Sequence, residues 1–370
     1  EFISKSGAAS DVYSIINKSL KRLPGRLALA TVGGNAVFAA VTGVSIASAA
    51  AFSRIAYPQM VKLGYDKSVA LGSIAGSASL GMLIPPSILM IVWGVISEQS
   101  IGQLFVAGVL PGILLTLMFF AFIVGYALLR PHLFGVSPDQ REREIALGLD
   151  ERATRAEILG SVGVAILIFT VLGGIWFGVF TPTEAAGIGV LLSLILAVLK
   201  GVRFQGLREA VLETGRISAP LLFLLITAQM YTRLLALGGI IDSIQGLLLG
   251  LGDSPLLILT LMILVWFMLG MFIDSVSIIL LTVPIFAPLS IAIGYDPIAF
   301  AIIGIVAIEA GLLTPPLGLC VYTVKSCVVD PEATLSKIFI GSMPYWFILL
   351  ILVGLIATFP EIATWLPSQI

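Results

Sequence analysis

Long apolar segments separated by short polar turns make up most of the chain. The segments are about 20 residues long, which is the length that an α-helix needs to cross the roughly 30 Å hydrocarbon core of a bilayer. Clear examples are residues 103–129, 158–179, 185–199, 218–237 and 343–359. This pattern predicts an all-α polytopic membrane protein.

The polar and helix-breaking positions recur at a fixed interval, which indicates an internal repeat. The turn Gly64-Tyr65-Asp66 returns as Gly294-Tyr295-Asp296, and a double proline follows each tyrosine, at Pro85-Pro86 and at Pro315-Pro316. Two further pairs share the offset of 230 positions, namely Pro58 with Pro288 and Ser45 with Ser275. The common offset predicts two related structural units.

Basic residues surround the first unit: Lys18, Lys21, Arg22, Arg26, Arg54, Lys62 and Lys67. No Lys or Arg occurs from Leu234 to Val324 in the second unit. By the positive-inside rule, the ends of the first unit face the cytoplasm and those of the second face outside. About five crossings lie between the two Gly-Tyr-Asp turns, and an odd number also inverts the second unit. Both observations predict inverted repeats, which are typical of secondary transporters.

Two segments are predicted to enter and leave the membrane on one side. Residues 27–60 have basic residues at both ends and are interrupted by Thr42-Gly43-Val44-Ser45. Residues 256–289 are interrupted by Asp274-Ser275-Val276-Ser277. We expect two re-entrant hairpins, whose non-helical tips are tolerated only where they are buried in protein or line a wet cavity.

Two predicted crossings, residues 68–96 and 298–324, each contain a double proline. Proline removes a backbone donor and disfavours helix at the preceding residue. We therefore expect two broken helices that present free carbonyl and amide groups near the middle of the membrane. Each break is expected to face the hairpin tip of its own half and to help hold a small ion.

The predicted domain order is built around two transport-domain halves. The first half covers 27–129 and ends in a helix at 103–129, and the second covers 256–359 and ends in a helix at 338–359. Residues 1–26 are predicted to end a first scaffold unit and to form a cytoplasmic amphipathic helix, 130–157 a cytoplasmic loop, and 158–252 the scaffold helices of the second repeat. Because that second unit has three crossings before its equivalent of Gly7, we expect an N-terminally truncated chain that lacks roughly 75 residues.

Composition supports the membrane assignment, with 58% hydrophobic and 11% charged residues, against about 25% charged residues in soluble domains. It gives no support for nucleic-acid binding.

The spacing of Cys320 and Cys327 suits packing better than a metal or redox motif. His132 lies in the charged loop and is interpreted as a surface residue in preference to a proton relay. A membrane enzyme is disfavoured because neither clustered metal ligands nor a phosphate loop is present.

Asp274 and Glu309 are the clearest carboxylates inside predicted membrane segments. Ionisable groups at that depth are costly and commonly functional. Asp274 lies at a hairpin tip and Glu309 just before a helix break, which favours function. A carboxyl group capped by helix N-terminal amides, or simply protonated, is the structural alternative.

Oxygen ligands suit hard cations such as sodium. Two cation sites are predicted, one from Gly43, Ser45, Gly81 and Pro85 and the other from Asp274, Ser275, Gly311 and Thr314. The predicted ligands of a small anionic solute between them are the amides and hydroxyls of Thr42, Ser45, Ser275 and Ser277. Serines that only pack helix against helix are the alternative. No cofactor is expected, and no metal besides Na⁺ as the coupling ion.

The segments from Gly33-Gly34-Asn35-Ala36 through Pro85-Pro86-Ser87, and from Gly270 through Thr314-Pro315-Pro316, resemble the large membrane subunit of TRAP transporters. The resemblance extends over nearly the whole chain. It implies a sodium-coupled, elevator-type importer of small carboxylates such as C4-dicarboxylates or sialic acid, in the bacterial inner membrane. It also implies a small membrane subunit and a periplasmic substrate-binding protein as partners.

Two other functions remain open at this point. A stand-alone sodium/anion symporter with similar hairpins needs no binding protein. A channel, from another class, needs a continuous polar pore, whereas the polar residues here cluster at two breaks.

Overall fold

The computed structural model describes residues 1–136, 152–249 and 254–369. The helices of the first half are α1 (Phe2–Ser6), α2 (Ala8–Ser19), α3 (Arg26–Thr42), α4 (Ser45–Ile55), α5 (Tyr57–Lys62), α6 (Lys67–Ala78), α7 (Leu80–Leu83), α8 (Ile88–Ser97) and α9 (Ile101–Leu129). Those that follow are α10 (Arg155–Trp176), α11 (Pro182–Leu199), α12 (Phe204–Leu237), α13 (Ile240–Leu249), α14 (Pro255–Gly270), α15 (Ser275–Ala292), α16 (Pro297–Gly311), α17 (Leu319–Cys327), α18 (Leu335–Thr358) and α19 (Glu361–Thr364). Short 3₁₀ turns lie at Pro131–Leu133 and Pro367–Gln369.

Seven spans among the described helices are long and apolar enough to cross a membrane, if α6 to α8 count as one. The others are α9, α10, α11, α12, α15 and α18. The helices α3, α14 and α16 are apolar but shorter, as expected for elements that stop inside the membrane. The prediction of an all-α polytopic membrane protein is confirmed.

The repeated Gly-Tyr-Asp turn has the same backbone geometry in both halves. Gly64 and Gly294 have φ angles of 80° and 81°, a left-handed conformation that glycine adopts without steric cost. The aspartate then caps the next helix: Asp66 accepts hydrogen bonds from Ser68 N and Val69 N, and Asp296 does the same for the first amides of α16. The motif therefore ends one element and starts the broken helix.

Helices α3 to α9 and α14 to α19 pack together, and we call them the central block. Its core includes an aromatic cluster that joins the halves, in which the ring of Trp266 lies 5.7 Å from that of Trp93 and 5.0 Å from that of Phe300. Gly304 leaves room for both indole rings, because a Cβ there would come within 2.9 Å of each.

Helices α1, α2 and α10 to α13 form a peripheral group beside the central block, and α2 also packs on α3 of the block. Helix α2 packs on α10, and α10 on α11. Ion pairs also join these helices. Lys18 Nζ of α2 lies 2.8 Å from the Glu157 carboxylate of α10, and Lys200 Nζ, after α11, lies 2.5 Å from the Asp11 carboxylate of α2. The α2 helix buries Ala8, Val12 and Tyr13, so its apolar face packs against protein.

Contacts between the halves establish the inverted arrangement. The start of α6 meets the loop after α17, where Lys67 Nζ lies 2.8 Å from a carboxylate oxygen of Asp330. The first broken helix therefore begins at the level where the second one ends. Helix α18 then runs beside α6, so closely that a Cβ on Gly72 would lie 2.1 Å from the backbone of Gly341.

The predicted loop 130–157 falls largely outside the described residues, as does the end of the predicted scaffold segment 158–252. Within the described part, His132 is exposed in the turn after α9. The scaffold crossing predicted at 218–237 is part of the longer helix α12, which has 34 residues and contains Pro220.

Candidate functional site

The first hairpin consists of α3 and α4, joined at the first tip, residues 42–45. Helix α3 ends because Gly43 adopts φ 63°, and its amide donates to Ala39 O at 2.9 Å. A side chain at Gly43 is excluded by its surroundings as well, since a Cβ would lie 2.5 Å from Pro86 O. Thus the first tip packs directly against the double proline of its own half.

The second hairpin consists of α14 and α15, joined at the second tip, residues 271–275. Asp274 caps α15: its carboxylate accepts hydrogen bonds from Ser277 N at 3.0 Å and Ser277 Oγ at 2.5 Å. This is the capping arrangement that the sequence left open as a structural alternative. These two hydrogen bonds use one lone pair on each carboxylate oxygen and fix the orientation of the Asp274 side chain.

Each broken helix places its non-helical residues against the tip of its own half. Directly after the first break, residues 84–87, Ile88 N donates a hydrogen bond to Gly43 O at 3.3 Å. In the second break, residues 312–318, Leu317 N and Gly318 N lie 3.2 and 3.4 Å from Met271 O. The peptide bonds Pro85-Pro86 and Pro315-Pro316 are both cis.

Glycines just before the breaks allow these contacts. A Cβ on Gly81 would lie 2.8 Å from Ser45 N, and one on Gly311 would lie 2.7 Å from the Cα of Gly270. No side chain fits between backbones at such distances. Gly81 and Gly311 are repeat partners, so the same close approach is built twice.

The two tips meet at Glu309, near the end of α16. Ser45 Oγ donates to one carboxylate oxygen at 2.6 Å, and Ser275 Oγ donates to the other at 3.1 Å. Ser45 and Ser275 are repeat partners, and all three side chains are buried, with Glu309 1% exposed. A single carboxylate thus joins equivalent hydroxyls of the two halves.

A cavity of about 260 Å³, the central cavity, lies between the tips and the middle of α12. Its polar lining comes from Ser45, Asp274, Ser275 and Cys320. The apolar lining includes four residues of α12: Ile217, Pro220, Leu221 and Leu224. The central cavity is therefore bounded by both hairpins on one side and by the peripheral group on the other.

The structure divides the predicted site residues into those that meet and those that do not. Gly43, Ser45 and Gly81 lie together, and Pro85 is buried in the adjacent break. Asp274 and Ser275 line the central cavity, while Gly311 packs behind the second tip and Thr314 Oγ1 donates to Gly311 O at 2.7 Å.

Two predicted solute ligands lie away from the central cavity lining. The hydroxyl of Thr42 donates to Phe38 O at 2.9 Å. Thr42 lines a second cavity of about 460 Å³, bounded by Pro86 and by α1, α10, α11 and α12. Ser277 is engaged with Asp274.

Glu309 was singled out by the sequence as a membrane carboxylate but not connected to the serines. The sequence signal that could have connected it is its place two residues before Gly311, at the position where the first half has Ser79.

Among the described residues, no group of three or more His, Cys, Asp or Glu side chains is placed to hold a metal ion. The hydroxyl, carbonyl and carboxylate oxygens at the tips are ligands that suit an alkali cation.

Inverted repeats, re-entrant hairpins and broken helices that meet beside a cavity define a polytopic membrane protein of the secondary-transporter class. The solved structure of the YdaH transporter of Alcanivorax borkumensis has a similar fold, with a TM-score of 0.57 at 15% identity, and the match covers 100% of this chain and 85% of that one. The family model of the DctM component of tripartite ATP-independent periplasmic transporters matches residues 1–362. The chain belongs to this family.

Two relatives show the range of the family. The C4-dicarboxylate TRAP transporter large permease DctM of Pseudomonas aeruginosa is 33% identical, over 99% of this chain and 83% of the relative. The ectoine TRAP transporter large permease TeaC of Halomonas elongata is 30% identical, with the same coverage. The resemblance to TRAP large subunits that the sequence predicted is confirmed, and the chain is a large permease, which is a transporter component.

Proposed function

We propose that this chain is the translocating subunit of a sodium-coupled importer of a small organic acid, such as a C4-dicarboxylate or sialic acid, in the bacterial inner membrane. A periplasmic binding protein delivers the solute, and a small membrane subunit completes the transporter. The observation that carries the proposal is the junction of both hairpin tips on Glu309, directly beside the central cavity. The two relatives are named for different solutes, C4-dicarboxylate and ectoine, so the solute of this chain must be identified by experiment.

Sodium coupling is supported by the chemistry of the tips. The hydroxyls of Ser45 and Ser275 meet on the Glu309 carboxylate. Asp274 lies in the second tip next to Ser275, and Gly43 O in the first tip accepts one hydrogen bond, which leaves a lone pair for a cation. Hard oxygen ligands of this kind replace the hydration shell of an alkali cation. A cation bound there also offsets the charge of an organic acid in the adjacent cavity, whose lining contains no Lys or Arg among the described residues.

We infer an elevator movement in which the central block slides against the peripheral group. The ion pairs among the described residues join partners within the block or within the group: Lys67 pairs with Asp330 inside the block, and Lys18 with Glu157 inside the group. By contrast, α12 meets the central cavity with apolar side chains. An apolar interface can slide without breaking charged contacts.

The test is uptake of a panel of radiolabelled organic acids into proteoliposomes that hold the complete transporter, with an inward sodium gradient. We expect uptake that needs both sodium and the binding protein. Sodium-driven uptake without the binding protein would favour the stand-alone symporter, and uptake that ignores the sodium gradient would contradict the proposal.

A matched pair of variants connects this activity with the tips. Ser45→Ala removes the hydroxyl that donates to Glu309 at 2.6 Å, and we expect at least about a tenfold loss of sodium-dependent uptake, because a buried hydrogen bond to a charged group is lost. Ser48 lies one turn further along α4, is equally buried, and its Oγ has no hydrogen-bond partner in the described part of the chain. Ser48→Ala is expected to keep normal uptake, and equal losses in both variants would argue against the assignment of Ser45.

A further inference from the structure

The two hairpin tips differ in acidic residues. Asp274 stands in the second tip, and the position 230 residues earlier in the first tip is Val44. The first tip therefore offers a cation neutral oxygen ligands only, from Gly43, Ser45 and the neighbouring break.

Glu309 is the acidic residue that contacts the first tip in the described part of the chain. It belongs to the second half, yet its shorter hydrogen bond, 2.6 Å, comes from Ser45 of the first half, and its longer one, 3.1 Å, from Ser275. Its repeat partner in the first half is Ser79, whose hydroxyl donates to Gly76 O at 2.7 Å. The first half thus has no carboxylate of its own at either position.

In the part of the chain that the structure describes, neither hydrogen-bond partner of Glu309 is positively charged, so an ionised Glu309 needs a balancing charge from elsewhere. The side chain is 1% exposed, and its hydrogen bonds come from two neutral hydroxyls. A buried carboxylate is costly unless a positive charge lies nearby. A cation held by the oxygens around Ser45 would supply that charge.

We propose that Glu309 is the counter-charge of the cation site at the first tip, contributed across the repeat by the second half. Each tip then has one carboxylate, Glu309 for the first and Asp274 for the second. This inference rests on the proposed sodium coupling and adds to it the residue that balances the first cation.

The test is the sodium dependence of thermal unfolding of the complete transporter, measured in sodium chloride and in choline chloride. A ligand that binds only the folded state raises Tm with its concentration. The substitution Glu309→Gln keeps two-point contact with the serines, since the amide oxygen accepts one bond and the amide nitrogen donates the other. It removes the charge and reverses the direction of one of the two hydrogen bonds. We expect the sodium concentration for half-maximal stabilisation to rise about tenfold or more.

Two controls separate this role from general effects. Glu361→Gln makes the same chemical change at an exposed residue of α19, and its sodium dependence is expected to match the wild type. Asp274→Asn removes the charge at the second tip. We expect the double variant, Glu309→Gln with Asp274→Asn, to lose nearly all of the sodium response that each single variant partly keeps.

Three results would overturn the inference. Glu309→Gln could keep the wild-type sodium dependence, or it could lower Tm equally in sodium and in choline, which is a purely structural effect. Absence of a sodium response in the wild type would remove the proposed coupling itself, and that failure is recognised before any variant is measured.

Discussion

Glycine at position 81 is a steric requirement of the first tip. Ser45 N and Val44 C lie 2.8 and 2.9 Å from the place that a Cβ would occupy, and both are backbone atoms that cannot move independently of the tip. Gly81→Ala must therefore displace the tip from the break. Overpacking of this kind costs about 1–3 kcal/mol, and we expect a lower Tm and a loss of sodium-dependent uptake.

The matched control is Gly125→Ala in the same half. Gly125 is also helical, in α9, and nothing lies within 4 Å of its added Cβ. Alanine favours helix over glycine by about 0.5–1 kcal/mol, so stability should be unchanged or slightly higher. Equal loss of uptake in both variants would show that the contact of Gly81 with Ser45 is not the cause.

Individual residues also mark how far the sequence can predict the site. The pairings of Ser45 with Ser275 and of Gly81 with Gly311 follow from the offset of 230 positions. The sequence predicted the two glycines as cation ligands, and the structure adds the close backbone contacts that they allow. The common hydrogen-bond partner of both serines, Glu309, does not follow from this offset. Ser45 and Glu309 are 264 positions apart, and local pattern carries no information about which buried carboxylate faces which hydroxyl once the halves have packed.

At the scale of elements, the ends of the two broken helices are tied by a small polar network. Asp330 accepts hydrogen bonds from Lys67 at 3.2 Å and from Tyr57 Oη at 2.6 Å. These contacts, with that of Lys67 the larger, hold the pKa of Asp330 well below its usual range. The network connects α5 and α6 to the loop before α18.

This network predicts a pH dependence of stability. Because the pKa of Asp330 is lower in the folded than in the unfolded protein, its contribution is fully present above the unfolded value of about 3.9 and is lost as the pH falls through the folded value. We expect Asp330→Asn to lower Tm at neutral pH and to reduce the loss of Tm on acidification. Thermal unfolding between neutral and acid pH measures both effects.

The control for this prediction is Glu98→Gln, which changes an exposed carboxyl in the turn after α8. Its Tm should follow the wild type at every pH. If Asp330→Asn and the wild type lose the same Tm on acidification, other groups account for the acid sensitivity.

Predicted elements and observed helices agree best where a physical signal marks the boundary. The first hairpin was expected at 27–60, and α3 to α5 extend from Arg26 to Lys62, because Gly25 and Gly64 adopt left-handed conformations at its ends. The peripheral helices were harder to delimit. Helix α12 begins at Phe204, well before the apolar stretch at 218–237, because its first turns are polar and apolarity alone does not mark their start.

At the scale of the whole molecule, an elevator movement requires that cross-links between the central block and the peripheral group stop transport. Ile46 of α4 and Leu224 of α12 both line the central cavity and are each 39% exposed. In a chain with Cys320→Ser and Cys327→Ser, we expect a cross-link between Ile46→Cys and Leu224→Cys to abolish uptake, since it joins the central block to the peripheral group. Cleavage of the cross-link should restore uptake.

A tether within the central block should have no such effect. Ser68 Oγ donates to the backbone oxygen of Lys337 at 2.7 Å. A flexible bifunctional thiol reagent between Ser68→Cys and Lys337→Cys therefore joins α6 to α18, which move together in the proposal. Uptake that survives this second cross-link but not the first supports block movement. Loss of uptake with both would point to rearrangement inside the block.

The carboxylate shared by the two tips also bears on how such a molecule can have arisen from a duplicated half. Two identical subunits around a two-fold axis must carry any given side chain twice or not at all, and two carboxylates facing one another repel. A single chain with diverged copies escapes this constraint, because it can keep glutamate in one copy and serine in the other. If the first copy uses an acid that only the second encodes, replacement of either copy by a duplicate of the other would remove that carboxylate or double it.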